Sequence, residues 1–297
     1  MTEAVEAGRL HRENLGATVR ALRVARGLTL RGLAAELGVS AATLSGIENG
    51  RTGVSSERTT HLAGALGVTV ERLLTGGPHQ AAPPLPALEP TVRVAVDLSR
   101  PGAWRDFPPL DLDVALAAAL ASFVEFGYHG ASMRTIAEHA GLSVPGLYHY
   151  YASKHEMLVA LLDLTMHDLR ARTEAAIAEA DGVVERFVHT VESLALFHTH
   201  RCPLAFVGAS EMRSLSPEAR PRVAAMRVEE QRLVDVAVLD GVEAGVFRTA
   251  LPHEAARAVA TMCTALAQWY RAEGPASAEV IARQYVDFAL GVVRYEG

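Results

Sequence analysis

Twice in these 297 residues a short amphipathic stretch runs into a glycine followed two positions later by a serine: Gly38-Val39-Ser40 and Gly141-Leu142-Ser143. Glycine accepts the left-handed backbone that ends one helix, and the serine hydroxyl accepts from an orphan amide to begin the next. Each pair therefore predicts two short helices joined by a tight turn. Before the first, Thr29 caps a helix with Leu30, Leu33, Ala34 and Leu37 inward; before the second, Ser132 caps one built on Ile136, Ala137 and Ala140. Two such helix-turn-helix units dictate helix around both points.

Residues 76–110 separate them and hold eight of the fourteen prolines, a density that excludes helix and predicts an extended linker. Within it Thr91–Leu98 alternates with period two, a short strand that must dock or fray. The remainder has helical spacing. Leu15, Val19, Leu22 and Val24 form a first stripe, and residues 56–66 and 69–74 complete five helices. From Asp111, Leu116, Ala119, Leu120 and Phe123 recur helically until Gly127. Ser153-Lys-His-Glu156 is a capping box opening a helix toward Ala180. Further helices are predicted at 182–198, 203–213, 217–245, 253–270 and 277–293, the third announced by Ser216-Pro217. With no run of 18 uncharged apolar residues, neither a membrane span nor a secretory leader is expected. Cys202 and Cys263 give no disulfide framework, as in a reducing cytoplasm.

The net charge of −6 is unevenly spread: residues 1–75 are +2, 76–110 neutral, 111–155 −2 and 156–297 −6. No segment is strongly basic, which disfavours a protein that coats DNA through phosphate neutralisation alone. Among 27 arginines stands one lysine, Lys154, just after the second unit.

Residues 15–75 resemble the lambda-repressor-like Cro/C1 (XRE) domain in Leu28–Ser40, Leu44-Ser-Gly-Ile-Glu-Asn-Gly50 and Leu62-Ala-Gly-Ala-Leu-Gly-Val68. That family's reading positions fall on Ala41, Ala42, Ser45 and Gly46, which lack the bidentate donors of direct base readout. Ser40, Thr43, Ser45, Asn49 and Arg51 remain as DNA contacts, suited to phosphate, and a positioning or partner-binding role stays open.

Residues 111–170 resemble the DNA-binding domain of TetR-like repressors, through Phe123-x3-Gly127-Tyr128, Ser132-Met-Arg-Thr-Ile-Ala-Glu-His-Ala-Gly-Leu-Ser143 and Leu147-Tyr-His-Tyr-Tyr-Ala-Ser-Lys154. The resemblance implies phosphate contacts from Ser132 and Arg134 and base edges facing Val144, Pro145 and Gly146 behind the Ser143 cap. It places Tyr148 and His149 along the DNA backbone and makes Lys154 a phosphate clamp. Tyr151 is expected to be a packing residue.

The implied architecture is all-α: a five-helix lambda-repressor-like domain at 12–75, the Pro-rich linker 76–110, the TetR-type domain 111–170, and an effector-binding and dimerisation domain 171–297. Glu243–Arg248 and Trp269-Tyr-Arg271 resemble the TetR group that includes acyl-CoA-responsive repressors. Met166, Phe197, Phe206, Met262, Trp269 and Tyr270 are the apolar candidates to border a ligand. The alanine-rich helix 253–270, with Ala260 and Ala267, and the helix 277–293 suit a homodimer seam. In His198-Thr-His-Arg-Cys202 the ligand types suit zinc, but alternate positions converge on one ion only in a strand. No metal or cofactor is expected.

These features predict a ligand-responsive homodimeric repressor binding double-stranded operator DNA, released by a small hydrophobic or acyl-type effector, cytoplasmic and free of membranes. An N-terminal adaptor for other proteins is one alternative. A metal-dependent hydrolase using His198, His200, Cys202 and Glu211 is a remote one, with no nucleophile elbow or phosphate loop to support it.

Overall fold

The computed structural model describes residues 2–75, 92–93 and 96–297, so positions 76–91 and 94–95 of the expected linker lie outside the described residues. The chain divides into two compact units, residues 1–90 with 132–153, and residues 91–131 with 154–297.

In the first unit α1 (Thr2–Ala25), α2 (Leu30–Glu36), α3 (Ala41–Glu48), α4 (Ser56–Ala65) and α5 (Val70–Thr75) close over Leu33, Leu44, Ile47, Leu62, Leu66 and Leu73. Leu15 and Val19 enter this core and Leu22 packs on its edge, whereas Val24, outside the three-four spacing, is 61% exposed. Arg23 turns inward instead. Its guanidinium grips Glu48 at 2.5 and 3.0 Å and donates to Leu28 O at 2.9 Å. Glu48 thereby ties the end of α3 to α1.

The same unit contains α7 (Met133–His139) and α8 (Val144–Leu147). Gly38 and Gly141 have φ of 64° and 66°, the left-handed turn expected of each. Ser40 Oγ accepts from Thr43 N at 3.0 Å and Ser143 Oγ from Gly146 N at 3.1 Å, starting α3 and α8.

In the second unit β1 (Val92–Arg93) pairs antiparallel with β2 (Asp111–Leu112), Val92 opposite Leu112. The alternating stretch thus contains a docked strand of two residues. Asp113 caps α6 (Val114–Gly130), which Gly127 breaks at φ 69°. There follow α9 (Lys154–Ala178), α10 (Val183–His200), α11 (Cys202–Ser210), α12 (Arg220–Glu243), α13 (Pro252–Trp269) and α14 (Ala278–Val293). Ser216 accepts from Ala219 N at 3.3 Å and so caps a single turn before α12 rather than α12 itself. Phe187, Phe197, Val234, Val238, Val259 and Leu266 fill the core.

Two sequence expectations change here. Residues 96–110 are a docked strap, not a spacer. A 3-10 turn at Ala103–Arg105 buries Trp104 to 1% exposure, its Nε1 donates to Glu179 at 2.5 Å, and Arg105 pairs bidentately with Glu192 at 2.8 Å. Proline excludes helix but not packing, and one indole offers about 150–250 Å² to bury. From α9 the buried Arg172 holds the strap's carbonyls, donating to Trp104 O at 3.0 Å and Asp106 O at 2.8 Å. The second change is the division of residues 111–170: α7 and α8 group with the N-terminal helices, α6 and α9 with the C-terminal ones.

Candidate functional site

α8 is four residues long and, with the turn that follows it, carries the side chains that the second turn motif singled out. Pro145 and His149 are exposed, Tyr148 is 51% exposed, and Val144 is half-buried. Tyr151 is 2% exposed and packs inward. Ser132 caps α7 by accepting from Thr135 N at 3.1 Å. Arg134 projects from the same helix with its side chain 84% exposed, 3.9 Å from Glu138.

Gly146, expected at base edges, is covered instead. A Cβ there would come within 2.6 Å of the Gly27 Cα and carbonyl oxygen, and one on Gly27 within 2.5 Å of Gly146 Cα. Around this backbone contact Ser143 N donates to Gly27 O at 2.5 Å, and Leu28 bridges Leu142 antiparallel. The chain entering α2 is thus bonded to the chain entering α8. The sequence signal was available, since a turn glycine such as Gly27 and a glycine inside a short helix such as Gly146 can both mark close backbone approach, but nothing paired the two.

Lys154 does not reach outward. Its Nζ donates at 2.8 Å to both Tyr128 O and Ala131 O and lies 4.4 Å from the centre of the Tyr128 ring. It satisfies carbonyls that the break at Gly127 leaves without helical partners, while Glu211 accepts from Tyr128 N at 3.2 Å. In place of a phosphate clamp, the structure gives Lys154 the end of α6 to hold.

On α3, Ser40 and Thr43 bond to each other at 2.8 Å, and Asn49 Nδ2 donates to Ser45 O at 2.7 Å. Gly46 has no room for a side chain, since its Cβ would meet Thr52 Oγ1 at 2.4 Å. Arg51 is exposed, and Asn49, also exposed, has its amide turned back on its own helix.

The second unit contains a cavity of about 120 Å³ walled by α9, α10, α11, α12 and α13. Of the six apolar candidates it takes only Met166. Phe197 is fully buried in the core, Phe206 and Met262 pack against it, Tyr270 is 8% exposed, and Trp269 stands 50% exposed. Bulk and apolarity mark packing as readily as lining, so composition did not separate the two.

The cavity's polar wall was missed. Burial pushes the Glu230 carboxyl up to about 7, with Thr173 Oγ1 donating to Oε1 at 2.8 Å and no partner on Oε2. Burial likewise depresses His198 to about 4, its Nδ1 2.7 Å from Leu194 O. In sequence Glu230 sits among Arg227-Val-Glu-Glu-Gln-Arg232 and looks like a solvated helix face. His200 stacks on Phe107 at 4.6 Å and Cys202 Sγ donates to Ala267 O, so the three side chains of the His-x-His-x-Cys run turn to different partners. Among the described residues no three His, Cys, Asp or Glu side chains are grouped to hold a metal ion, and no helix is long and apolar enough to cross a membrane.

Two capped helix-turn-helix motifs in an all-helical chain are the architecture of a DNA-binding protein, and comparison with known proteins gives the family. Residues 115–161 match the family described as bacterial regulatory proteins, tetR family, and residues 180–293 match the tetracyclin repressor-like C-terminal domain. Residues 14–74 match a helix-turn-helix domain. The chain is similar to the HTH-type transcriptional repressor KstR2 of Mycobacterium tuberculosis, 30% identical over 188 residues, 61% of this chain and 92% of that one. Over 85 residues it is 35% identical to the transcriptional activator FasR of Mycolicibacterium smegmatis, 29% of this chain and 39% of that one. Among solved structures, the regulator PfmR of Thermus thermophilus is 32% identical with a TM-score of 0.56, covering 62% of this chain and all of that one. A tetR-family protein of Rhodococcus RHA1 is 27% identical with a TM-score of 0.59, covering 62% and 97%. This chain belongs to the TetR family of transcriptional regulators, with a further helix-turn-helix domain at its N-terminal side. It is a DNA-binding regulator and not an enzyme.

Proposed function

We propose that this regulator is a homodimeric repressor that α8 seats on operator DNA and that a small hydrophobic effector releases. The observation that carries the reading is the pairing of two features in one chain. Pro145 on α8 and Tyr148 and His149 in the turn that follows it are exposed, and a cavity with a buried polar wall lies among the C-terminal helices. KstR2, the relative matched over nearly its full length, is a repressor. Coupling of about 1–3 kcal/mol between the two sites gives roughly 5–150-fold control of operator affinity.

The seam of the proposed dimer is an aromatic face. Trp269 lies 6.5 Å from Tyr285, which lies 5.9 Å from Phe288, and Phe288 and Val292 are 59% and 37% exposed on α14. The proposed seam thus lies on α13 and α14 but leaves out two of the alanines, since Ala267 is 3% exposed and Ala260 borders the cavity.

The bond between Gly27 and Ser143 favours a specific role for the N-terminal helices, that of positioning α8. Selection of DNA from a random pool by the full chain tests the whole reading. A palindrome with half-sites about 34–36 Å apart, or a multiple, is expected; recovery of unrelated sequences with no symmetry would refute it.

A further inference from the structure

Most polar side chains lining the cavity have acceptors to spare once their own bonds are counted, the spare donors being the second amide hydrogen of Gln231 and the remaining N–H groups of Arg227. Thr165 Oγ1 donates to Leu161 O and Thr264 Oγ1 to Ala260 O, so each hydroxyl offers the cavity lone pairs only. His198 is neutral, its Nδ1 paired with Leu194 O, which leaves Nε2 as an acceptor. Gln231 turns its amide nitrogen to Asp235 at 3.1 Å. Glu230, 6% exposed, has one oxygen satisfied by Thr173 and the other, Oε2, without a partner. The single cationic lining residue, Arg227, is exposed at the edge and donates to Gly208 O at 2.9 Å. A buried acceptor without a donor costs about 1–3 kcal/mol, more when charged, so such a wall is complementary to a ligand that brings donors.

We propose that the cavity takes a small organic amine, an apolar body carrying a primary ammonium group that donates to Glu230 Oε2. The inference rests on reading this cavity as the effector site and names the chemistry that it selects. A water-sized sphere occupies about 10–15 Å³ on this scale, so the space suits roughly eight to twelve heavy atoms. Hydrocarbon walls from Leu162, Met166, Leu169 and Val234 hold the chain of the ligand. A carboxylate would set acceptor against acceptor and charge against Glu230.

Hexylamine, hexan-1-ol and hexanoate, titrated calorimetrically into the full chain at pH 8, separate the possibilities. Hexylamine is expected to bind at least about tenfold tighter than either other probe, the ratio that one charge-assisted bond supplies. Glu230→Gln, which keeps the shape, should remove that advantage and leave hexan-1-ol unchanged. Hexanoate binding as tightly as hexylamine, or Glu230→Gln retaining full amine affinity, overturns the amine while sparing the cavity as a ligand site. Binding by none of the three overturns the cavity reading itself and the proposal with it.

Discussion

A carboxyl group walled off from water keeps its proton to higher pH, and an imidazole in the same wall loses its proton sooner. Glu230 is lifted from 4.5 to about 7 by burial; from α9 Arg170 opposes the rise and Glu174 adds to it. The stability associated with its protonated form is complete below 4.5 and is lost as pH climbs through 7. At 1.4 kcal/mol per unit the loss is on the order of 3 kcal/mol. Glu230→Gln has no such titration, so urea unfolding at pH 5 and pH 8 should show the variant gaining on the wild type at the higher pH. Equal differences at both values would refute it. His198 works in the opposite direction, its contribution present above 6.5 and lost as pH falls through about 4. Tyr148, just after α8, is half exposed. Tyr148→Ala should weaken operator binding about tenfold or more by fluorescence anisotropy with an unchanged Tm. Lys154→Met should do the reverse: its two carbonyl bonds are charge-assisted, worth about 1.5–3 kcal/mol each, so Tm falls even without DNA.

At the scale of elements, caps and turns were legible and docking was not. Thr29, Ser40, Ser132 and Ser143 each cap the helix expected of them, because an N-cap is a bond between residues three apart and is written locally. What joins elements far apart leaves no such trace. Proline density correctly excluded α-helix from 96–110, yet only the fold reveals that Trp104 and Arg105 find Glu179 and Glu192 there. Trp104→Ala should cost about 3–5 kcal/mol, as large core truncations do. Trypsin should then cut at Arg105, a bond that the wild type protects; equal cutting in both would show the strap to be undocked. Six expected cavity residues yielded one, because an apolar side chain does not declare whether it packs against protein or space. The Gly27–Gly146 contact has its own test. Valine at Gly27 would need φ of 67° and would place Cβ against Gly146 Cα, so Gly27→Val should part the two turns. The amide of Ser143, which donates to Gly27 O, is then expected to lose hydrogen-exchange protection, while that of Leu44, inside the first core, keeps it.

At the scale of the molecule, the family relationship covers the C-terminal three-fifths of the chain, and the N-terminal helices are an addition to it. A palindromic operator asks for a two-fold protein, and a two-fold seam must be a surface that is apolar, contiguous and not already used inside the protomer. Alanine content singled out α13, but two of its alanines are not free for a partner. Ala267 sits in the core and Ala260 beside the cavity, so Arg at either would bury a charge and unfold rather than dissociate. The face that meets every requirement carries Trp269, Phe288 and Val292. Its aromatics are the residue types that dominate the energetics of interfaces, and single truncations there reach about 2 kcal/mol or more. Replacing Phe288 with Asp should therefore leave the protomer folded by circular dichroism and shift the protein from dimer to monomer in light scattering. Operator affinity should fall with it, because one head loses the tether of the other. A Phe288→Asp protein that remains dimeric at micromolar concentration would place the seam elsewhere.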